Sequence, residues 1–273
     1  MSRKTNVPCA RVSLYLAAPT ADETWRLVKR GLRVLAHEQL ACAERFIGDA
    51  DRGAYLLAHI LLRAALSHRA PQVPPSAWQL AAGAYGKPEL MAPAGAPPLR
   101  FNLTHTDGLV ACVVSDGGLI GVDAEAIDDP GDAVEMAEHY FAPTEMAAMA
   151  ALPAASRRER FFELWTLKES YLKARGLGLE LPLDAFAFRI EPDEPVHVGF
   201  EPRIRDEPSR WQFVQRRPTP RHRLAVAIGN GEGASRRLVD EWVLDDIDEA
   251  GHAQLQAVDG AEGENQRLLL RSN

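Results

Sequence analysis

Apolar residues recur along this chain at two periods. From Arg11 to Leu16, Val12, Leu14 and Leu16 stand two apart among polar or small residues, which predicts a half-buried first strand. Trp25, Leu27, Val28, Leu32, Leu35 and Leu40 then recur at helical spacing to about Phe46, with Thr20 or Asp22 placed to cap the helix. After a break around Gly48 to Gly53, AYLLAHILLRAALSHR predicts a second helix, apolar enough for a core. Pro71, Pro74 and Pro75 turn the chain into a short strand at Trp78 to Leu80. A proline-rich loop leads on to a strand over Leu99 to Leu103 that ends in Thr104 and His105. Leu109 to Ser115 is a continuous apolar strand, and Asp116-Gly117-Gly118 is a hairpin-type turn into LIGVDAE.

Helical spacing resumes at Asp132, and Thr144 is the expected N-cap of an Ala- and Met-rich helix with Glu145 at its first position. The strongest helical segment runs from Phe161 to Leu179, with Phe162, Trp165, Leu167 and Leu172 as apolar cover and Gly176 as terminator. Strands follow around Phe186 and Phe188, at WQFVQ and at Leu224 to Ile228. The order strand, helices, strand, strand thus occurs twice. This predicts an α+β protein of two similar halves, 1–118 and 119–233, followed by a C-terminal tail, 234–273. The tail either docks through Trp242 and Leu244 or stays mobile, and truncation after Gly233 is expected to leave the core folded.

Composition acts mainly by exclusion. A chain of 273 residues, 46% hydrophobic and 25% charged, can bury a sizeable core. No run is long enough to span a membrane and the N-terminal stretch lacks a secretory apolar region, so a cytoplasmic location is expected. Cys9, Cys42 and Cys112 are too far apart for a zinc spacing and odd in number. The formal charge of -7 argues against nucleic acid as a partner, although nine Asp or Glu and no Lys or Arg lie between Val239 and Glu264. His59 and His68, nine apart, do not share a helix face and are read as structural.

Candidate chemistry lies at the end of LIGVDAE and in the Phe161 helix. Asp123 and Glu125, two apart on a strand, point to one side, and Glu169 and Lys173, four apart on a helix, share a face. Taken alone, Glu169 and Lys173 also fit a solvated helix pair. Together, three carboxylates and a lysine suit a hard divalent cation with positive charge left for phosphate. Lys87, Thr104 and His105, at loop and strand ends, are suitable donors to phosphate oxygens.

Three segments in this order carry a family resemblance: Gly86-Lys87-Pro88 with FNLTHT at 101–106, GVDAE at 121–125, and LWTLKESYLKARGLGL at 164–179. They resemble the signature motifs of 4'-phosphopantetheinyl transferases, with the closer likeness to the longer, surfactin-synthetase-activating type. The resemblance covers about Val12 to Ile228. It implies a monomer built from a pseudo-twofold pair of α+β halves. It also implies a holo-[acyl-carrier-protein] synthase activity, transferring the 4'-phosphopantetheine arm of coenzyme A to a serine of an apo acyl or peptidyl carrier protein and releasing 3',5'-ADP.

Carried over onto this sequence, the resemblance makes Asp123, Glu125 and Glu169 ligands of Mg²⁺. Lys87, Thr104 and His105 hold the nucleotide and its phosphates, and Lys173 sits by the pyrophosphate. Glu169, directly or through a metal-bound water, takes the serine proton. Relatives often carry basic residues before the second helix to meet the coenzyme A 3'-phosphate. Here Arg52 is the substitute, with Lys29, Arg45 or Arg63 as further helpers, while Thr104 and Thr106 keep the hydroxyls of the usual serines. Arg157, Arg158 and Arg160, with Met146 and Met149, form a candidate docking face for an acidic carrier, or else a solvated helix start and core methionines. Two other readings use the same residues: an Mg²⁺-dependent phosphohydrolase, and a non-catalytic module that binds coenzyme A or carriers.

Overall fold

The alternating pattern at the start of the chain folds as β1 (Val12–Ala17). Thr20 then caps α1 (Ala21–Gly31): its hydroxyl accepts from the Glu23 amide, while the Glu23 carboxylate accepts from the Thr20 amide at 2.9 Å. The computed structural model describes residues 11–83, 88–91, 93–128, 133–178, 181–230, 236–248 and 251–258.

The first helical region is divided. A 3₁₀ turn at Leu32–Val34 separates α1 from α2 (His37–Ala43), and α3 (Asp49–Arg69) is the long apolar helix, starting five residues before the periodic stretch. Strands β2 (Gln79–Ala82), β3 (Pro88–Met91), β4 (Arg100–Thr106) and β5 (Leu109–Ser115) complete the first half. The second half comprises β6 (Leu119–Ala126), α4 (Ala133–Tyr140), α5 (Pro143–Ala150), α6 (Ala154–Arg175), β7 (Phe186–Arg189), β8 (His197–Phe200), β9 (Trp211–Arg216) and β10 (His222–Gly229). Two short strands escape the sequence pattern: β3 falls in the proline-rich stretch read as loop, and β8 in a stretch left unassigned. Each pairs only with its hairpin partner, β2 or β7, and is too short for a periodic signal.

The halves share a topology. In the first, β1 lies antiparallel to β5 and β5 to β4; in the second, β6 lies antiparallel to β10 and β10 to β9. The two sheets stack, and alternation along their strands builds three cores. The inner one, between the sheets, is made by side chains such as Leu14, Leu16, Val113, Val122 and Val226. Tyr15, Cys112 and Val114 face the other way, against α1 and α3. Ala225 and Ala227 face Leu167 and Tyr171 of α6. The result is four layers, helix, sheet, sheet, helix.

The acidic segment does not stand apart from this fold. β11 (Val239–Ile247) pairs parallel with β1 and antiparallel with β12 (Ala253–Ala257), extending the first sheet to β12-β11-β1-β5-β4. Its acidic residues meet cations: Arg11 pairs with Asp240 and Arg30 with Asp246, both at 2.5 Å, and Glu241, on the face shared with Leu14, pairs with Arg216 of β9 at 2.9 Å. Val239, Leu244 and Ile247 are buried. The charge count masked a strand that contributes Val239 to the core between the sheets and Leu244 and Ile247 to the core against α1 and α3.

Glu145 also differs from expectation. α5 begins at Pro143, so Glu145 is its third residue, and one carboxylate oxygen accepts the Ala142 amide at 3.0 Å. It is fully buried and pairs with Lys168 of α6 at 2.8 Å, while its other oxygen accepts the Phe188 amide of β7. Lys168 further donates to the Leu183 and Phe186 carbonyls. Burial lowers the Lys168 pKa, and Glu145 opposes the shift.

Candidate active site

Gly121 determines how closely α6 approaches β6. A Cβ there would lie 2.5 Å from Ala174 N and nearer still to Ser170 O, so only glycine lets the helix backbone settle on the strand. Asp123 and Glu125 follow on the same side of β6 as Gly121, toward α6, while Val122 and Ala124 turn into the core between the sheets. Glu169 and Lys173 flank Ser170 on the helix and come down beside Asp123.

At the centre, Lys173 Nζ lies 2.6 Å from Asp123 Oδ1 and donates to Thr104 Oγ1 of β4 at 3.2 Å. Asp123 and Thr104 are buried. The second Asp123 oxygen, Oδ2, is buried without a hydrogen-bond partner among the described residues. Burial raises the Glu169 pKa, the charge of Asp123 raises it further, and Lys173 opposes both. Glu125 is half-buried and lies opposite Arg223 in the β6–β10 ladder.

β4 and β6 run side by side in one direction, since their starts line one cavity and their ends another. The first, about 600 Å³, is bounded by Leu99 to Phe101, Leu119, Ile120 and the end of α6 at Ala174 to Gly176. The second, about 650 Å³, takes in His105, Thr106 and Ala126 and is closed by the starts of α1 and α3. The Thr104–Lys173–Asp123 contact lies along β4 and β6 between them.

Thr104 and His105, read together in the sequence, face opposite sides of β4. Thr104 turns to β6, whereas His105 follows Phe101 and Leu103 toward α3 and reaches the second cavity. Burial lowers the His105 pKa, with Lys173 adding to the shift and Asp51 opposing it. His105 is therefore neutral at pH 7, able to donate from one ring nitrogen and accept at the other.

Several expected positions lie elsewhere. Lys87 is outside the described residues. The Arg52 guanidinium turns back onto Asp49, at 3.2 Å, and the Phe46 carbonyl, and the α3 residues lining the second cavity are Asp49, Ala50, Asp51, Ala54 and Leu57. Arg63 is buried and bonds Gln39 and the Pro75 carbonyl, so it holds the first half together and does not reach a ligand. Lys29 and Arg45 are exposed. Arg157 and Arg158 donate to the carbonyls of Leu152 and Ile127, and Arg160 pairs with Glu163 at 3.0 Å. Met149 is core and Met146 packs against it, which favours the structural reading of that segment.

Sequence reasoning passed over Asn102, whose Oδ1 accepts from Val122 N at 2.8 Å. The available signal was its place two residues before Thr104, on the same strand face.

The family model of the 4'-phosphopantetheinyl transferase superfamily matches residues 119–228, which contain β6 and α6. A 4'-phosphopantetheinyl transferase of Bacillus subtilis is 32% identical over 177 residues, covering 63% of this chain and 76% of that protein. The chain belongs to the 4'-phosphopantetheinyl transferase superfamily. The transferase Sfp of Bacillus subtilis strain 168 is 30% identical over 185 residues, covering 68% of this chain and 78% of its own. HetI of Nostoc is 29% identical over 194 residues, covering 71% and 78%. No helix among the described residues is long and apolar enough to cross a membrane.

Proposed function

We propose that the protein transfers the 4'-phosphopantetheine arm of coenzyme A to a serine of an apo carrier protein, with Mg²⁺ as cofactor and 3',5'-ADP as the second product. The observation that carries this reading is the Thr104–Lys173–Asp123 contact: one ammonium joins both halves in the strands and helix that bear the motifs.

The donor set suits Mg²⁺. Asp123 Oδ2 is buried and has no partner among the described residues, and Glu169 carries a raised pKa beside it. Among the described residues no three His, Cys, Asp or Glu side chains converge as a ready-made metal cage. Mg²⁺ does not require one, because it typically takes one or two carboxylates and completes its shell with water and substrate phosphates. Asp123 and Glu169 would supply those carboxylates, with Glu125, two residues on along β6, as the third candidate. When bound, the ion neutralises charge on the pyrophosphate.

The chain's own groups supply the rest. Transfer of a phosphoryl group needs alignment and charge compensation more than covalent help. Lys173 offers its ammonium to the pyrophosphate, and neutral His105 and Thr104 offer hydrogen bonds on the two sides of β4. Glu169, directly or through a water, would receive the proton of the attacking serine. Lys87 would join the nucleotide contacts; Arg52, held on Asp49 and the Phe46 carbonyl, would supply charge only by leaving those partners.

The test is intact-mass analysis of an apo carrier incubated with the protein, coenzyme A and Mg²⁺, with EDTA and serine-less carrier controls. A gain of one phosphopantetheine that needs both metal and serine is expected. No gain on acyl and peptidyl carriers alike would sink the reading.

A further inference from the structure

β4 and β6 are edge strands of two different sheets, and among the described residues no backbone ladder joins them. The seam between them runs through the centre of the candidate site. Asn102 crosses it: the residue is 8% exposed, and its Oδ1 accepts from Val122 N at 2.8 Å. Val122 lies opposite Val226 of β10, but an amide bonded to β4 points away from β10, as alternate amides of an antiparallel strand do. Asn102 thus satisfies a buried donor that the β6–β10 ladder leaves over.

Position gives this bond its consequence. Thr104 is two residues beyond Asn102 on the same face of β4, and Asp123 follows Val122 directly on β6. A slip of β4 along β6 would move Thr104 and His105 relative to Asp123, Glu169 and Lys173. The Thr104–Lys173 contact cannot prevent that slip, because the lysine stem is flexible and the ammonium is part-exposed. The Asn102 bond has a rigid backbone group at one end and a short side chain at the other.

We propose that Asn102 is a positioning residue that fixes the register of the two halves across the catalytic seam. It acts through the Val122 amide, and its kinetic effect rests on the transfer reaction proposed above. Loss of the acceptor loosens the spacing of groups that must act together, so turnover falls, while a carrier, which the buried Asn102 side chain does not face, binds as before.

The test compares Asn102→Leu, close in size without an acceptor, with Asn102→Asp, which keeps one. Two measurements are made on each: amide hydrogen exchange at Val122 by NMR, and kcat with KM for coenzyme A and for the carrier. In the wild type the Val122 amide should be protected. Asn102→Leu should accelerate exchange there at least about tenfold, leave Gly121 and Asp123 unchanged, and lower kcat about 10- to 100-fold with the carrier KM unaltered. Asn102→Asp should recover much of both. A Leu variant with wild-type kcat would overturn the proposal, as would a rapidly exchanging Val122 amide in the wild type. Should the Leu variant not fold, exchange in the wild type and in Asn102→Asp decides. A wild type that transfers nothing counts against the transfer reaction, and the exchange data still report on Asn102.

Discussion

Lys173 Nζ rests 2.6 Å from Asp123 Oδ1, and Asp123 Oδ2 is buried without a partner among the described residues. The ammonium occupies one oxygen of a buried carboxylate and leaves the other for a ligand. Asp123→Asn keeps the shape and removes the charge. Metal-dependent turnover should fall on the order of 100-fold or more. The thermal midpoint should stay within about 3 °C, since the amide has the same shape and its oxygen can still accept from Lys173. Steady-state kinetics over a Mg²⁺ titration, with a thermal melt, would check both; normal activity would remove Asp123 from the site.

Glu169 yields a pH prediction. Its folded pKa is raised, by burial first and Asp123 second. Such a carboxyl contributes stability that is fully present below its unfolded pKa and is lost as pH rises through the folded one. Glu169→Gln should therefore raise the thermal midpoint at pH 8 in metal-free buffer, with the gain vanishing toward pH 4. The same variant should lower kcat about 100- to 10,000-fold if Glu169 is the base. A gain that grew on acidification would contradict the burial argument.

These carboxylates were legible in the sequence because strand and helix periods fix which residues share a face. GVDAE and KESYLK needed no tertiary knowledge to put Asp123 beside Glu125 or Glu169 beside Lys173. The doubled order of strands and helices likewise showed two halves. What the sequence hid were relations between distant segments: Asn102 with Val122, Glu145 with Lys168, and β11 with β1. A charged residue reads as surface until its partner is known, so Glu145 looked like a simple helix-terminus acid and the 239–247 strand like a tail.

The Glu145–Lys168 pair makes that point measurable. Both side chains are fully buried, and together they tie α5, α6 and β7. Removing one partner strands the other in the core, so Glu145→Ala should cost about 3–5 kcal/mol in urea unfolding. Glu145→Leu combined with Lys168→Met should cost less than Glu145→Ala, because no charge remains to be buried. A single variant of wild-type stability would show that the pair is solvated in solution.

β11 gives the opposite outcome to the one its acidity suggests. Truncation after Gly233 removes the parallel partner of β1 and uncovers an apolar edge. The shortened protein should aggregate or lose its cooperative transition. Leu244→Ala and Ile247→Ala, both at buried positions, should each cost about 2–5 kcal/mol in the full chain. A truncated protein that melts like the full chain would show that β11 contributes nothing to the core.

Gly121 links packing to chemistry most directly. The atoms that a Cβ at this position would strike, Ser170 O and Ala174 N, belong to helix backbone and cannot rotate away as a side chain can. In Gly121→Ala, α6 must lift from β6, and Glu169 and Lys173 move with it because they adjoin the displaced residues. A shift of about 1 Å at the reacting groups is enough to reduce turnover about 100-fold. Gly117→Ala is the control, since a Cβ there meets nothing within 4 Å. The control should keep both its melting temperature and its kcat, while Gly121→Ala loses both. If Gly121→Ala instead turned over at the wild-type rate, the tight seating of α6 on β6 would not be what places the lysine and the glutamate.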